Sequence, residues 1–330
     1  MRAGDPTAPG APALYWHTEP GDCQVPTVST VALSEPVPAR RAVTRRRPAT
    51  VAWLILPTLL FFAVFFVLPL GVMLLLSLLT DNPVAAPEVA FTTRHYRRLI
   101  GDDYHFEVLW TTVRLGLWTT AAALVIGYPL AHLMARMRSR AGHVLLLMAV
   151  LAPLLTGVVV RTYAWMTLLS DRGVINSLLA DLGLTRGPVK LMYNDFGIVV
   201  ALVHIYVPFM VLTLTGVIGR IDGRLEEAAR NLGASRLRAF VEVTLPLSLP
   251  GILAGSLLVF ALSISAYVTP ILMGGFQVMT LPILVYQQVS ASFNLGFAAA
   301  LGLVLLVVSL ALVVAYNHVL GRITGQGELQ

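Results

Sequence analysis

Six apolar runs constrain this chain more than any other feature. They fall at 51–79, 109–134, 144–169, 196–219, 248–272 and 297–319. Each approaches or exceeds the roughly 20 residues that a helix needs to cross about 30 Å of hydrocarbon. A water-soluble fold cannot hide that many, and 12% charged residues is about half of what soluble domains carry. The sequence therefore predicts an all-α membrane protein with six transmembrane helices. Pro57, Pro69, Pro129, Pro153, Pro208 and Pro270 lie inside the runs. A helix bundle tolerates such breaks because neighbouring helices take up the freed backbone groups.

Charge sets the expected orientation. Residues 1–50, the loops 135–143 and 220–247, and the C-terminal segment together hold 15 Lys and Arg, against six in 80–108 and 170–195 combined and none in 273–296. The positive-inside rule then places both termini and the 220–247 loop in the cytoplasm. Trp110 and Trp165 fall toward the other face. Residues 1–50 are rich in Pro, Ala and Thr and end in Arg40, Arg41, Arg45, Arg46 and Arg47. They read as a disordered basic cytoplasmic tail and not as a signal peptide, because the first apolar run starts too late for cleavage. Cys23 is the single cysteine, which excludes an internal disulfide and a cysteine metal cluster. Basic residues without interleaved aromatics give no reason to expect nucleic acid, and no metal or cofactor is expected.

The segment EEAARNLGASRLRAFVEVTLPLSLPG (226–251) is the polar exception. Asp222 is placed to cap a helix from about Arg224 to Leu232, with Glu226 and Glu227 early in it, where the helix dipole favours carboxylates. Gly233 supplies a left-handed stop. Ser235 caps a second short helix with Leu237, Phe240 and Val241 on its apolar face, and Pro246 is expected to break that helix before the fifth span. Two short helices on a glycine elbow make a rigid knob for a partner's cleft.

The spacing Glu227-Ala228-Ala229, Gly233, Val243, Leu245-Pro246 resembles the EAA motif in permease subunits of binding-protein-dependent ABC importers, with Val243 in place of the usual isoleucine. The motif lies in the loop before the second-last span, as in that family. The resemblance implies a type-1 importer (MetI-like) permease core over 108–318, preceded by a first transmembrane helix and external loop (51–107) and followed by a cytoplasmic tail (319–330). It implies a multi-pass inner-membrane protein that meets a second permease subunit, an ATP-binding subunit dimer docked on 220–247, an extracytoplasmic solute-binding protein and the lipid bilayer. Glu227 would contact the ATPase and Gly233 would be the elbow, with Ala228, Ala229, Leu245 and Pro246 completing the coupling site. The stretches 154–179, 206–222 and 265–275 are similar to the spermidine/putrescine subfamily, particularly its first permease subunit. Permeases for iron, phosphonates and opines share parts of them.

The residues themselves say less about the solute. Given that orientation, polar groups gather in the outer half of the spans: Arg161, Tyr163 and Trp165, then His204 and Tyr206, then Ser263, Ser265, Tyr267 and Thr269. Aromatic faces attract cations by about 0.5–2 kcal/mol each, so the set is a candidate translocation path. No Asp or Glu lies within a span, which argues against a tight cation site in this subunit. Each of these residues also has a plainer reading. Arg161 can snorkel or pair with a backbone carbonyl, and the serines and tyrosines can serve helix packing. The chain has no G-x-x-x-x-G-K-[ST] loop and no H-E-x-x-H. Without intramembrane carboxylates or clear repeats, a self-sufficient secondary transporter is disfavoured. A Ser–His intramembrane enzyme has no signature to support it.

Overall fold

The computed structural model describes residues 56–79 and 91–324. The tail 1–50 with Cys23, Trp53, the loop residues Asp81 and Glu88, and the terminal 325–330 lie outside the described residues. All long elements among the described residues are helices: α1 (Leu56–Ser77), α2 (Arg94–Gly101), α3 (Asp103–Arg136), α4 (Arg140–Leu151), α5 (Val158–Leu169), α6 (Val174–Asp181), α7 (Asp195–Ile218), α8 (Gly223–Asn231), α9 (Arg236–Ala239), α10 (Leu245–Ile264), α11 (Val268–Gly274), α12 (Leu281–Ser290) and α13 (Leu295–Thr324).

The centre is a three-helix sandwich of α3, α7 and α10. Lipid is as apolar as leucine, so close backbone approach rather than water exclusion holds such a bundle together. Glycines provide that approach. A Cβ on Gly116 would meet Ile264 at 2.6 Å, and one on Gly251 would meet Val217 at 2.8 Å. Ala123, Ala131 and Met134 of α3 pack on Met210, Val211, Leu214 and Ile218 of α7, with Val259 of α10 closing the cluster. A second cluster joins Val108 of α3 to Leu281 and Leu284 of α12 and to Phe297 and Leu301 of α13. α1 lies against α13, where a Cβ on Gly302 would run into Met73.

Three expectations need correction. The third span is not one rod: Arg140–Leu155 and Val158–Asp181 meet at 96°. Pro153 cannot donate a helical hydrogen bond, the chain tightens into a 3₁₀ turn over Ala152–Leu155, and Thr156 and Gly157 are extended. The Thr156 hydroxyl and N–H both donate to the Pro153 carbonyl, at 2.9 and 3.3 Å. Pro246, in turn, does not break its helix, which continues from Arg236 to Ile264. A π-turn over Phe240–Thr244 carries the Leu245 N–H back to the Phe240 carbonyl, so the wider turn makes room for the ring that follows. The same device recurs in α1, where Leu68 bonds to Ala63 just before Pro69. The fifth span also stops early, at Ile264. Pro270 falls in the first turn of a separate helix, α11, where its missing N–H leaves nothing unpaired.

Candidate functional site: the coupling knob and the polar cluster at the bend

α8 and α9 form the knob. The Asp222 carboxylate accepts from the Arg224 N–H at 2.9 Å, and the Ser235 hydroxyl accepts from the Arg238 N–H at 3.3 Å. Between them Gly233 takes φ +95°. The Gly233 N–H bonds to the Arg230 carbonyl and the Ala234 N–H to the Ala229 carbonyl, a Schellman termination that requires a left-handed residue. Glu227, Arg230, Asn231, Ala234, Ser235 and Arg236 line an open polar concavity on the knob. Beside it stand large apolar side chains that nothing covers: Leu232 is 90% and Leu237 72% exposed.

The knob rests on the end of α3 and the base of α10. The Phe240 ring meets Tyr128 and His132 edge-on, at 5.6 and 5.4 Å. The Tyr128 hydroxyl is 2.9 Å from that of Ser248, which donates to the Leu245 carbonyl. Arg136 donates to the Ile221 carbonyl at 3.1 Å and lies 3.9 Å from Glu226. Sequence reasoning passed over Arg136, Tyr128 and Ser248 and read Glu226 only as a carboxylate favoured by the helix dipole. A signal for Glu226 was there in the period of α8: Gly223, Glu226 and Ala229 are the more covered positions at i, i+3 spacing, while Glu227 and Asn231 face out.

The nine candidate path residues do not form one lining. Arg161 occupies the first turn after the 96° bend, its N–H bonded to the Gly157 carbonyl, so its depth cannot be counted along a straight helix. Its side chain is within electrostatic reach of Tyr206 and His204, and its Nε and Nη1 have no hydrogen-bond partner among the described residues. Trp165 and His204 touch edge-on at 5.6 Å in an apolar groove that also includes Pro153 and Pro208. The Tyr206 hydroxyl donates to the Leu262 carbonyl at 3.1 Å. These four residues are brought together. Ser263 and Thr269 are instead buried, Ser263 bonded to the Val259 carbonyl and Thr269 to the Thr162 hydroxyl. Ser265 donates to its own helix, the Tyr267 ring lies tilted against that of Tyr286 at 4.6 Å, and Tyr163 is exposed beside Thr167 and Tyr193. Asp195, the first residue of α7, is ion-paired with Arg114 of α3.

A six-span helical bundle with a broken third span and a two-helix knob before α10 defines an importer permease. Residues 42–325 match the family described as binding-protein-dependent transport system inner membrane component, and the chain belongs to that family: it is a multi-pass inner-membrane permease subunit of an ABC importer. Among its relatives is the spermidine/putrescine transport system permease protein PotB of Escherichia coli strain K12, 33% identical over 266 residues that cover 81% of this chain and 93% of that protein. The fold is similar to a chain of a bacterial ABC transporter involved in the import of the acidic polysaccharide alginate, with TM-score 0.66 and 21% identity over 84% of this chain and 98% of the other. It is also similar to a chain of the MetNI methionine ABC transporter in an inward-facing conformation, with TM-score 0.52 and 15% identity over 71% and 99%.

Proposed function

We propose that this permease carries polyamines, putrescine or spermidine, and that the 220–247 knob couples its movement to a separate ATPase. The observation that carries the coupling assignment is the knob itself: a rigid, glycine-terminated pair of helices whose uncovered Leu232 and Leu237 flank a polar concavity. A buried partner surface is where such side chains belong. Glu227, Ala228, Ala229, Gly233, Leu245 and Pro246 make up the coupling site. The knob and both termini face the cytoplasm, a second permease completes the membrane unit, ATP is hydrolysed by the partner, and a soluble binding protein delivers solute from outside.

The polyamine assignment draws on the likeness to PotB. It requires the external protein to supply selectivity, because Asp195, the carboxylate at the head of α7, is already occupied by Arg114. Arg161, Trp165, His204 and Tyr206 flank the path at the bend, while Tyr163, Ser263, Ser265, Tyr267 and Thr269 lie apart from them, Ser263 and Thr269 in helix packing. Calorimetric titration of the cognate binding protein with putrescine and spermidine tests the solute. Tight binding of either is expected. Binding of neither moves the solute to another small molecule, and the open guanidinium of Arg161 then favours an anionic one.

A further inference from the structure

We infer that Glu226, rather than serving the ATPase face, is the positioning residue that braces the knob to α3, and that Arg136 is its counterpart. The inference rests on the coupling role proposed for the loop and names the joint through which that role is exercised. Glu226 points inward from α8. Its Oε2 accepts from the hydroxyl of Thr244, at 3.4 Å, and lies 3.9 Å from Arg136 Nη2. Thr244 belongs to the π-turn under α10 and is fully buried. Arg136 is in the last turn of α3, where the helix dipole favours a cation. Its Nη1 is bound to the Ile221 carbonyl at the entry to the knob. One carboxylate thus touches α8, the base of α10 and the end of α3 together.

The space for this contact is built in. A Cβ on Gly223, one turn before Glu226, would meet Arg136 Nη1 at 3.3 Å. Arg136 Nε and Nη2 are buried and have no hydrogen-bond acceptor among the described residues, so Glu226 is the anion that answers this guanidinium. Removing one member of a partly buried pair strands the other charge, whereas exchanging both restores it. His132 lies on the same face of α3, one turn before Arg136, with its ring against Phe240 of the π-turn, so the loop meets α3 through two contacts four residues apart, one from α8 and one from the turn that follows α9.

The test uses the assembled transporter in nanodiscs, with Cys23→Ser and spin labels on Arg224→Cys of the knob, outside its polar concavity, and Leu133→Cys of α3, both exposed. Knob-to-helix distances are measured without nucleotide and with ATP and vanadate, alongside ATPase co-purification. The brace predicts one narrow distance, the same in both states. Glu226→Gln and Arg136→Gln each broaden it, Glu226→Arg with Arg136→Glu narrows it again, and the ATPase co-purifies throughout. Single variants that keep the narrow distance would overturn the brace, as would an exchange that rescues nothing. Loss of the ATPase from Glu226→Gln at an unchanged distance would also overturn it and assign Glu226 to the docking face. Gly233→Asp separates the two readings: if that variant retains the ATPase and coupled hydrolysis, the loop's coupling role falls whatever Glu226 does.

Discussion

Thr112 does two jobs with one hydroxyl. It donates to the Val108 carbonyl and accepts from the N–H of Leu281, each at 2.8 Å, in a buried site between α3 and α12. Thr112→Val keeps the shape and strands a helix N-terminal N–H, at a cost of about 1–3 kcal/mol. Thermal unfolding of the detergent-solubilised chain should show a clear drop for Val and little change for Ser. Equal midpoints would mean that Leu281 finds another acceptor. Gly233 is constrained differently: a side chain there meets nothing within 4 Å, and φ +95° is the only obstacle. An L-residue in the left-handed region costs about 1–2 kcal/mol, with Asn among those that visit it routinely. Gly233→Asn should therefore retain most transport, while Gly233→Asp adds a charge at the docking face and should abolish it. Solute uptake per ATP hydrolysed, at matched expression, distinguishes them; full coupling in the Asp variant would take position 233 off the docking face.

At the scale of elements, Met210 of α7 is a wedge between two glycines. A Cβ on Gly127 of α3 would lie 2.9 Å from its Cγ, and one on Gly255 of α10 would lie 2.7 Å from its sulfur. Methionine is flexible enough to yield to one side, so either Ala substitution alone should cost at the low end of the roughly 1–3 kcal/mol typical of overpacking. Both together leave the wedge no direction to move, and the double variant should lose more than the sum. Simple additivity in the melting midpoints would show that the two contacts are independent. Elements differ in how plainly the sequence announces them. α7 and α13 carry long apolar runs, and the caps of α8 and α9 are decided within a few residues. Proline is ambiguous by comparison. Pro129, Pro208 and Pro250 lie inside continuous helices, whereas Pro153 precedes a right-angle turn. Apolarity does not encode direction, and neighbouring helices decide which prolines are absorbed. The Glu226–Arg136 contact joins residues far apart in sequence, a pairing that no local pattern signals, and the motif draws attention to Glu227, the neighbour of the glutamate that makes it.

For the whole molecule, the distribution of arginine predicts which side each end of the bundle faces. Single cysteines at Asn231 and at Leu182, which is exposed just past α6, introduced on a Cys23→Ser background, should report opposite sides. An impermeant maleimide applied to spheroplasts should label Leu182→Cys alone, and labelling of Asn231→Cys would invert the topology. The bend in the third span carries one more consequence, for how the chain is made. Its first arm, Arg140–Leu155, extends only about 24 Å at 1.5 Å per residue, short of the roughly 30 Å hydrocarbon core. The extended backbone at Thr156 and Gly157 cannot remain exposed to lipid. Both residues are exposed in this chain, so during synthesis the segment must wait, partly inserted, until water or another subunit takes up that backbone. A kink in one span thus sets when its backbone must find cover.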